Sequence, residues 1–168
     1  TSSADGTARV WNATNGLPLL SLQHPPGAVT WAEFSADRES ILTVSAADYT
    51  ARVWNLAEGG VKRQLRDPDS EVLLARFSPD GTRVATASRR GTIRIWAVSS
   101  EDALLALEGP RQGINSLAFS QDGQTLAAAG EDHTVCIWNT TNGLPVCPPL
   151  LHDNAVSYVV FSPNGLVL

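Results

Sequence analysis

The chain has 168 residues, 43% of them hydrophobic, and a formal net charge of −5. That length suits one domain with a buried core. The acidic balance argues against nucleic acid or anionic lipid as a partner, and no apolar run approaches the ~20 residues of a membrane span. Two cysteines are too few for a disulfide scaffold and favour a reducing, cytoplasmic setting. The sequence contains no methionine and both ends fall in mid-pattern, at Thr1-Ser2-Ser3 and Leu166-Val167-Leu168. It is therefore expected to be a segment of a longer protein.

In chain order, the first landmark is the stretch Asp5 to Asn12, an acidic turn leading into a short β run that ends on Trp11. It recurs from Asp48 to Asn55 and from Asp132 to Asn139, with an altered copy from Arg90 to Ala97. The tryptophans Trp11, Trp54, Trp96 and Trp138 are 43, 42 and 42 residues apart. A second series begins Phe34-Ser35-Ala36-Asp37 and continues at Phe77-Ser78-Pro79-Asp80-Gly81, Phe119-Ser120-Gln121-Asp122-Gly123 and Phe161-Ser162-Pro163-Asn164-Gly165, with the same spacing. Two landmarks sharing one period establish an internal repeat.

Each period reads as four short strands. After Trp96, the segment from Ser99 through Glu101 to Leu107 has good helix formers, yet its place in the repeat makes it a strand. Ile114 to Phe119 alternates apolar and small polar residues, and Gln121-Asp122-Gly123 turns into Thr125 to Ala129. Glu131-Asp132 turns into Thr134 to Trp138, and Asn142-Gly143 is a hairpin signal. The fourth strand, Leu144 to Leu151, carries Pro145, Pro148 and Pro149 and is expected at the sheet's outer edge. Across a loop from Thr140 to Gly143, Cys136 should face Cys147, the two as reduced, packed thiols.

Four-stranded units at ~40–45 residues have the spacing of propeller blades. The series Phe-Ser-Pro-Asp-Gly followed by Asp-x-Thr-x-x-x-Trp resembles the WD-repeat β-propeller family over essentially the whole chain. The phrases Trp11 to Pro18 and Trp138 to Pro145 resemble bacterial members. The resemblance implies an all-β propeller of four-stranded antiparallel blades, about four repeats within a seven- or eight-bladed ring. Expected divisions are a partial blade over 1–24, blades over 25–66, 67–108 and 109–151, and a partial blade over 152–168. No copy has the family's Trp-Asp dipeptide, since asparagine follows three of the tryptophans and alanine the fourth.

The resemblance also implies a role for several polar residues. In this family a histidine, a hydroxyl, the turn aspartate and the tryptophan indole form a buried network that ties a blade together. His24, Asp48 and Trp54 match it, while Ser45 stands one residue before the usual position, held by Ala46. Ser3, Asp5 and Trp11 match in the first copy, Trp96 in the third, Asp132 and Trp138 in the fourth, and His152 at the next start. A hydrolase triad of His24, Ser45 and Asp48 is the weaker reading. Arg9, Arg52 and Arg94, each two residues before a tryptophan, are expected to flank carboxylates between blades. Arg89-Arg90 is expected to face solvent.

No phosphate loop or metal-ligand spacing is present, so no enzyme, cofactor or metal is expected. The family's partner-binding rim maps to Glu71, Leu73 and Arg89, and to Asn115 and Glu131. The function implied is a non-catalytic protein-interaction scaffold, the interaction or regulatory part of a larger bacterial multidomain protein. A catalytic or small-molecule propeller using its channel, and a purely structural spacer, are the alternatives. The isolated segment is expected to stay open or to pair with a second copy to complete a ring.

Overall fold

A computed structural model describes residues 1–100, 102–165 and 167–168. Among these, every regular element is a strand. The pair β1 (Thr7–Trp11) and β2 (Pro18–Gln23) forms a two-stranded sheet. Three four-stranded sheets follow in chain order. They comprise β3 (Val29–Phe34), β4 (Ser40–Ser45), β5 (Thr50–Asn55) and β6 (Val61–Leu65); then β7 (Val72–Phe77), β8 (Arg83–Ser88), β9 (Thr92–Ala97) and β10 (Ala103–Glu108); then β11 (Ile114–Phe119), β12 (Thr125–Gly130), β13 (Thr134–Asn139) and β14 (Leu150–Leu151). All pairings are antiparallel between consecutive strands, as in propeller blades.

The turn between the first two strands of each four-stranded sheet is fixed by the Phe-Ser-x-Asp phrase. The hydroxyls of Ser78 and Ser120 donate to Asp80 and Asp122, and each serine oxygen accepts the N–H that opens the next strand. Asp80 and Asp122 then accept the N–H groups of Thr82 and Gln124. The serine hydrogen bond holds both carboxyls below the usual aspartate range. Gly81 and Gly123 supply the positive φ the turn needs.

The core lies between sheets. Leu42, Val44 and Val53 of one blade meet Val72, Ala75, Val84 and Trp96 of the next. Ala85, Ile93 and Ile95 meet Leu117, Leu126, Ala128 and Trp138 one blade further on. Two polar clamps cross the same boundaries. Glu33 accepts the N–H of Phe77 at 2.6 Å, beside Arg76, whose guanidinium lies 3.7 Å over the Trp31 ring. Arg83 donates to Thr140 Oγ1 at 3.0 Å and to the Gly123 carbonyl at 2.9 Å.

The outer strand expected from Leu144 to Leu151 is cut to Leu150–Leu151, with one bridge between Pro145 and Trp138. Pro145, Pro148 and Pro149 have no N–H to give the ladder, so pairing breaks into the short stretch around Pro145, where the Val146 N–H donates to the Ile137 carbonyl, and Leu150–Leu151 beyond the prolines. The segment after Trp96 is extended, as β10 from Ala103, and Glu101 lies outside the described residues. Leu166, in the terminal phrase, lies outside them too. Cys136 and Cys147 are both free, each partly buried.

Candidate functional site

A connected network of buried polar side chains lies in the first complete blade. β4 and β5 pair in a register that sets Ile41 against Trp54 and Thr43 against Arg52. This puts Thr43 beneath the Trp54 indole, whose Nε1–H donates to Thr43 Oγ1 at 2.8 Å. His24 Nε2 lies 2.9 Å from the same oxygen, and its Nδ1 lies 2.7 Å from Arg52 Nη1. A guanidinium can only donate, so Nδ1 is the acceptor and the proton sits on Nε2. Thr43 Oγ1 therefore accepts from both rings. The imidazole meets the indole edge-on, with centroids 5.2 Å apart.

Burial, helped by the neighbouring Arg52 charge and opposed by Asp48, lowers the His24 pKa to about 4. His24 is thus neutral near pH 7. Arg52 continues the chain by pairing with Asp48, which also accepts the Thr50 hydroxyl at 2.9 Å. Burial pushes the Asp48 carboxyl up, but hydrogen bonds from Arg52 and Thr50 outweigh it and hold the group below its usual range.

The structure brings His24, Asp48 and Trp54 together and assigns the hydroxyl differently. Thr43, not Ser45, is the shared acceptor. Ser45 Oγ instead accepts the N–H of Ala47 at 3.2 Å, inside the turn. A signal for Thr43 existed. Thr43 and Thr86 are 43 residues apart, like Phe34 and Phe77, and Trp96 Nε1 donates to Thr86 Oγ1 at 2.8 Å. The arginine stripe needs correction at two of its three members, since Arg94 does reach Asp67 and Asp69 in the segment joining two blades. Arg9 pairs with Asp5 and Arg52 with Asp48, each within its own hairpin rather than between blades.

The remaining copies replace the network as a whole. In the second complete blade the acid moves: Asp67, with its side chain 2% exposed, stands at the His24 position and pairs with Arg94 at 3.2 Å. Arg90 then occupies the position of Asp48. In the third, Gly109, Ala128, Gly130 and Cys136 stand at the partner positions around the buried Trp138. Gly130 is imposed by Pro110, since a Cβ on it would fall 2.2 Å from the proline Cβ. Ala128, in place of the threonine, offers the Trp138 indole N–H no hydroxyl acceptor. Asp132 keeps only its turn, accepting from Thr134 and from the Arg111 N–H at 2.8 Å.

At the first tryptophan, Trp11 is 41% exposed and its indole donates to Thr1 Oγ1 at 3.0 Å, not to Ser3. Ser3 Oγ accepts the Asp5 N–H, and Asp5 accepts from Thr7. His152 is exposed, and its backbone N–H donates to the His133 carbonyl.

The rim residues form two local pairs. Glu71, at the start of the second complete blade, pairs with Arg89 in the following turn and raises the arginine pKa. Asn115 Nδ2 donates to Glu131 Oε1 at 2.8 Å and to the Val156 carbonyl at 3.1 Å. Leu73 is half-buried between them in sequence.

The family model "WD domain, G-beta repeat" (WD40) matches residues 61–97 and 102–139. These two stretches are similar to WD40 repeats. No protein among the curated sequences matches it. Each matched WD40 unit starts on the outer strand of one sheet, β6 or β10, and ends on the third strand of the next, β9 or β13. The unit thus links two blades. The missing Trp-Asp dipeptide has a structural substitute, because Asn55 Oδ1 and Asn139 Oδ1 accept the N–H groups of Ala57 and Thr141, each at 2.9 Å. A side-chain amide supplies the acceptor that a carboxylate would. WD40 repeats in general mediate protein–protein interaction or scaffolding and are typically non-catalytic.

Proposed function

We propose that this chain is a non-catalytic protein-interaction scaffold, the interaction or regulatory part of a larger cytoplasmic bacterial protein. The observation that carries the reading is the contrast between the polar interior and the rim. Both nitrogens of His24 are engaged, by Arg52 and Thr43, so the one buried histidine holds its blade together instead of meeting a substrate. The rim pairs Glu71–Arg89 and Asn115–Glu131 stand at the ends of strands and in the turns beside them, held by rigid sheets, a setting suited to docking. Bacterial origin draws its support from the repeated phrases around Trp11 and Trp138, and the cytoplasmic setting from two unpaired thiols.

Capture of partners by the intact parent protein tests this reading. A scaffold retains a defined partner and loses it when Arg89 and Glu131 are replaced by alanine, whereas a spacer captures nothing specific. The isolated segment, with Leu151, Tyr158 and Val160 all strongly exposed, is proposed to self-associate, and light scattering should give more than one chain per particle.

A further inference from the structure

The turn that carries the aspartate in the other copies is altered in one place, and the alteration creates a recess. In three copies the turn carboxylate of Asp5, Asp48 or Asp132 accepts the hydroxyl of the threonine two residues on, Thr7, Thr50 or Thr134. In two of them it also accepts that threonine's N–H. The remaining copy, third in the chain, keeps the threonine, Thr92, but has Arg90 in place of the acid. Among the described residues no carboxylate receives the Thr92 hydroxyl.

Around this gap the surroundings are positive and open. A cavity of about 230 Å³ is lined by Arg90, Gly91, Thr92, Glu108, Gly109 and Arg111. Its floor is bare backbone, because the Gly109 N–H donates to the Gly91 carbonyl at 2.9 Å and a Cβ on Gly91 would fall 2.4 Å from the Pro110 carbonyl oxygen. Arg111 is a second reversal of charge, since the matching positions one repeat before and one after are Asp69 and Asp153. Among the described residues neither the Arg90 nor the Arg111 guanidinium has an ion-pair partner, although the chain as a whole is acidic. Asp132 is engaged with the backbone N–H of Arg111. Glu108 offsets one of the two arginine charges, so the lining residues together are net positive, with the Asp132 carboxylate close by.

We propose that this recess binds the anionic side group of an acidic segment of a partner protein, the incoming carboxylate or phosphate standing where the turn aspartate stands in the other copies. Two forked guanidinium groups and a threonine hydroxyl match such a group in charge and in donor geometry. The volume suits one side group rather than a small-molecule ligand. A single positive recess on a chain of net charge −5 suits a short acidic peptide and not a nucleic-acid backbone. This inference rests on the scaffold reading and names the chemistry of its partner.

The test measures fluorescence anisotropy of labelled octapeptides on the intact protein: one glutamate-rich, one with a central phosphoserine, one with glutamines in place of the acids. A single-stranded DNA octamer serves as a polyanion control. The acidic peptides should bind more tightly than the glutamine peptide, and whichever of glutamate and phosphoserine binds better identifies the anion. Arg111→Ala should weaken binding about tenfold. Arg90→Asp restores the internal carboxylate, so it should abolish peptide binding while the melting temperature holds or rises. Arg38→Asp, an equal charge change at an exposed turn elsewhere, should have little effect.

Equal affinity for the acidic and glutamine peptides overturns the proposal. So does unchanged binding by both Arg90→Asp and Arg111→Ala, or DNA binding as tight through the same two residues. The scaffold reading fails separately: protein partners still captured by Arg90→Asp refute this recess and leave the scaffold standing.

Discussion

Acidification should weaken this fold through one histidine in a defined pH window. His24 is 3% exposed, and its pKa falls from 6.5 to about 4 on folding because burial and Arg52 disfavour its proton. The unfolded chain therefore binds the proton more readily, and stability rises with pH across the interval between the two values. The contribution is nearly complete at pH 7, falls as pH drops below 6.5 and is lost once pH passes below about 4. Between pH 7 and pH 5 the linkage relation gives a loss of about 2 kcal/mol, a large fraction of the stability of a typical domain. Glu33 acts in the opposite sense, since burial raises its pKa. Urea unfolding of wild type and His24→Asn across this range separates the two, because Glu33 is common to both proteins. The wild-type advantage should shrink by about 2 kcal/mol from pH 7 to pH 5. A difference that stays constant or grows on acidification would refute the tautomer and burial assigned to His24.

Thr43→Val removes the acceptor shared by His24 and Trp54 and leaves two buried donors unpaired, so it should cost about 2–5 kcal/mol. Thr86→Val strands only the Trp96 indole and should cost about 1–3 kcal/mol; chemical denaturation of the two variants side by side checks the order. Gly130→Ser, which reinstates the serine found at positions 45 and 88, should destabilise by more than about 1 kcal/mol because Pro110 occupies the space its Cβ needs. Pairing it with Pro110→Ala should recover part of the loss, measured as a shift in melting temperature.

The period of 43, 42 and 42 residues is enough to read four-stranded blades, since tryptophan and phenylalanine landmarks repeat together. The network was legible in its rings and acid but not in its hydroxyl. The turn after β4 has one residue more than its counterparts, which shifts the offset from Thr43 to Trp54 to 11 against 10 for Thr86 to Trp96. Counting from a fixed pattern therefore landed on Ala46 and its neighbour Ser45. Strand pairing, which sets Thr43 opposite Arg52, resolves the shift. Arg52 was legible only as a charge, because its contact with His24 joins residues 28 apart in sequence. Three prolines marked β14 as an edge, but how far they would cut it depended on which N–H groups the ladder required. The Arg90 recess was hidden for a different reason. An arginine in place of an acid reads as solvent-facing until the orphaned Thr92 and the bare Gly91–Gly109 floor are seen beside it.

The central claim is that the polar network fastens the blades and the rim meets the partner. The direct measurement is the affinity of the intact protein for its captured partner, determined for wild type, for Arg89→Ala with Glu131→Ala, and for Thr86→Val, well below the melting temperature of each. The account predicts weakened binding for the rim variant and wild-type affinity for Thr86→Val. Loss of binding in Thr86→Val while it remains folded, with the rim variant unaffected, would contradict it.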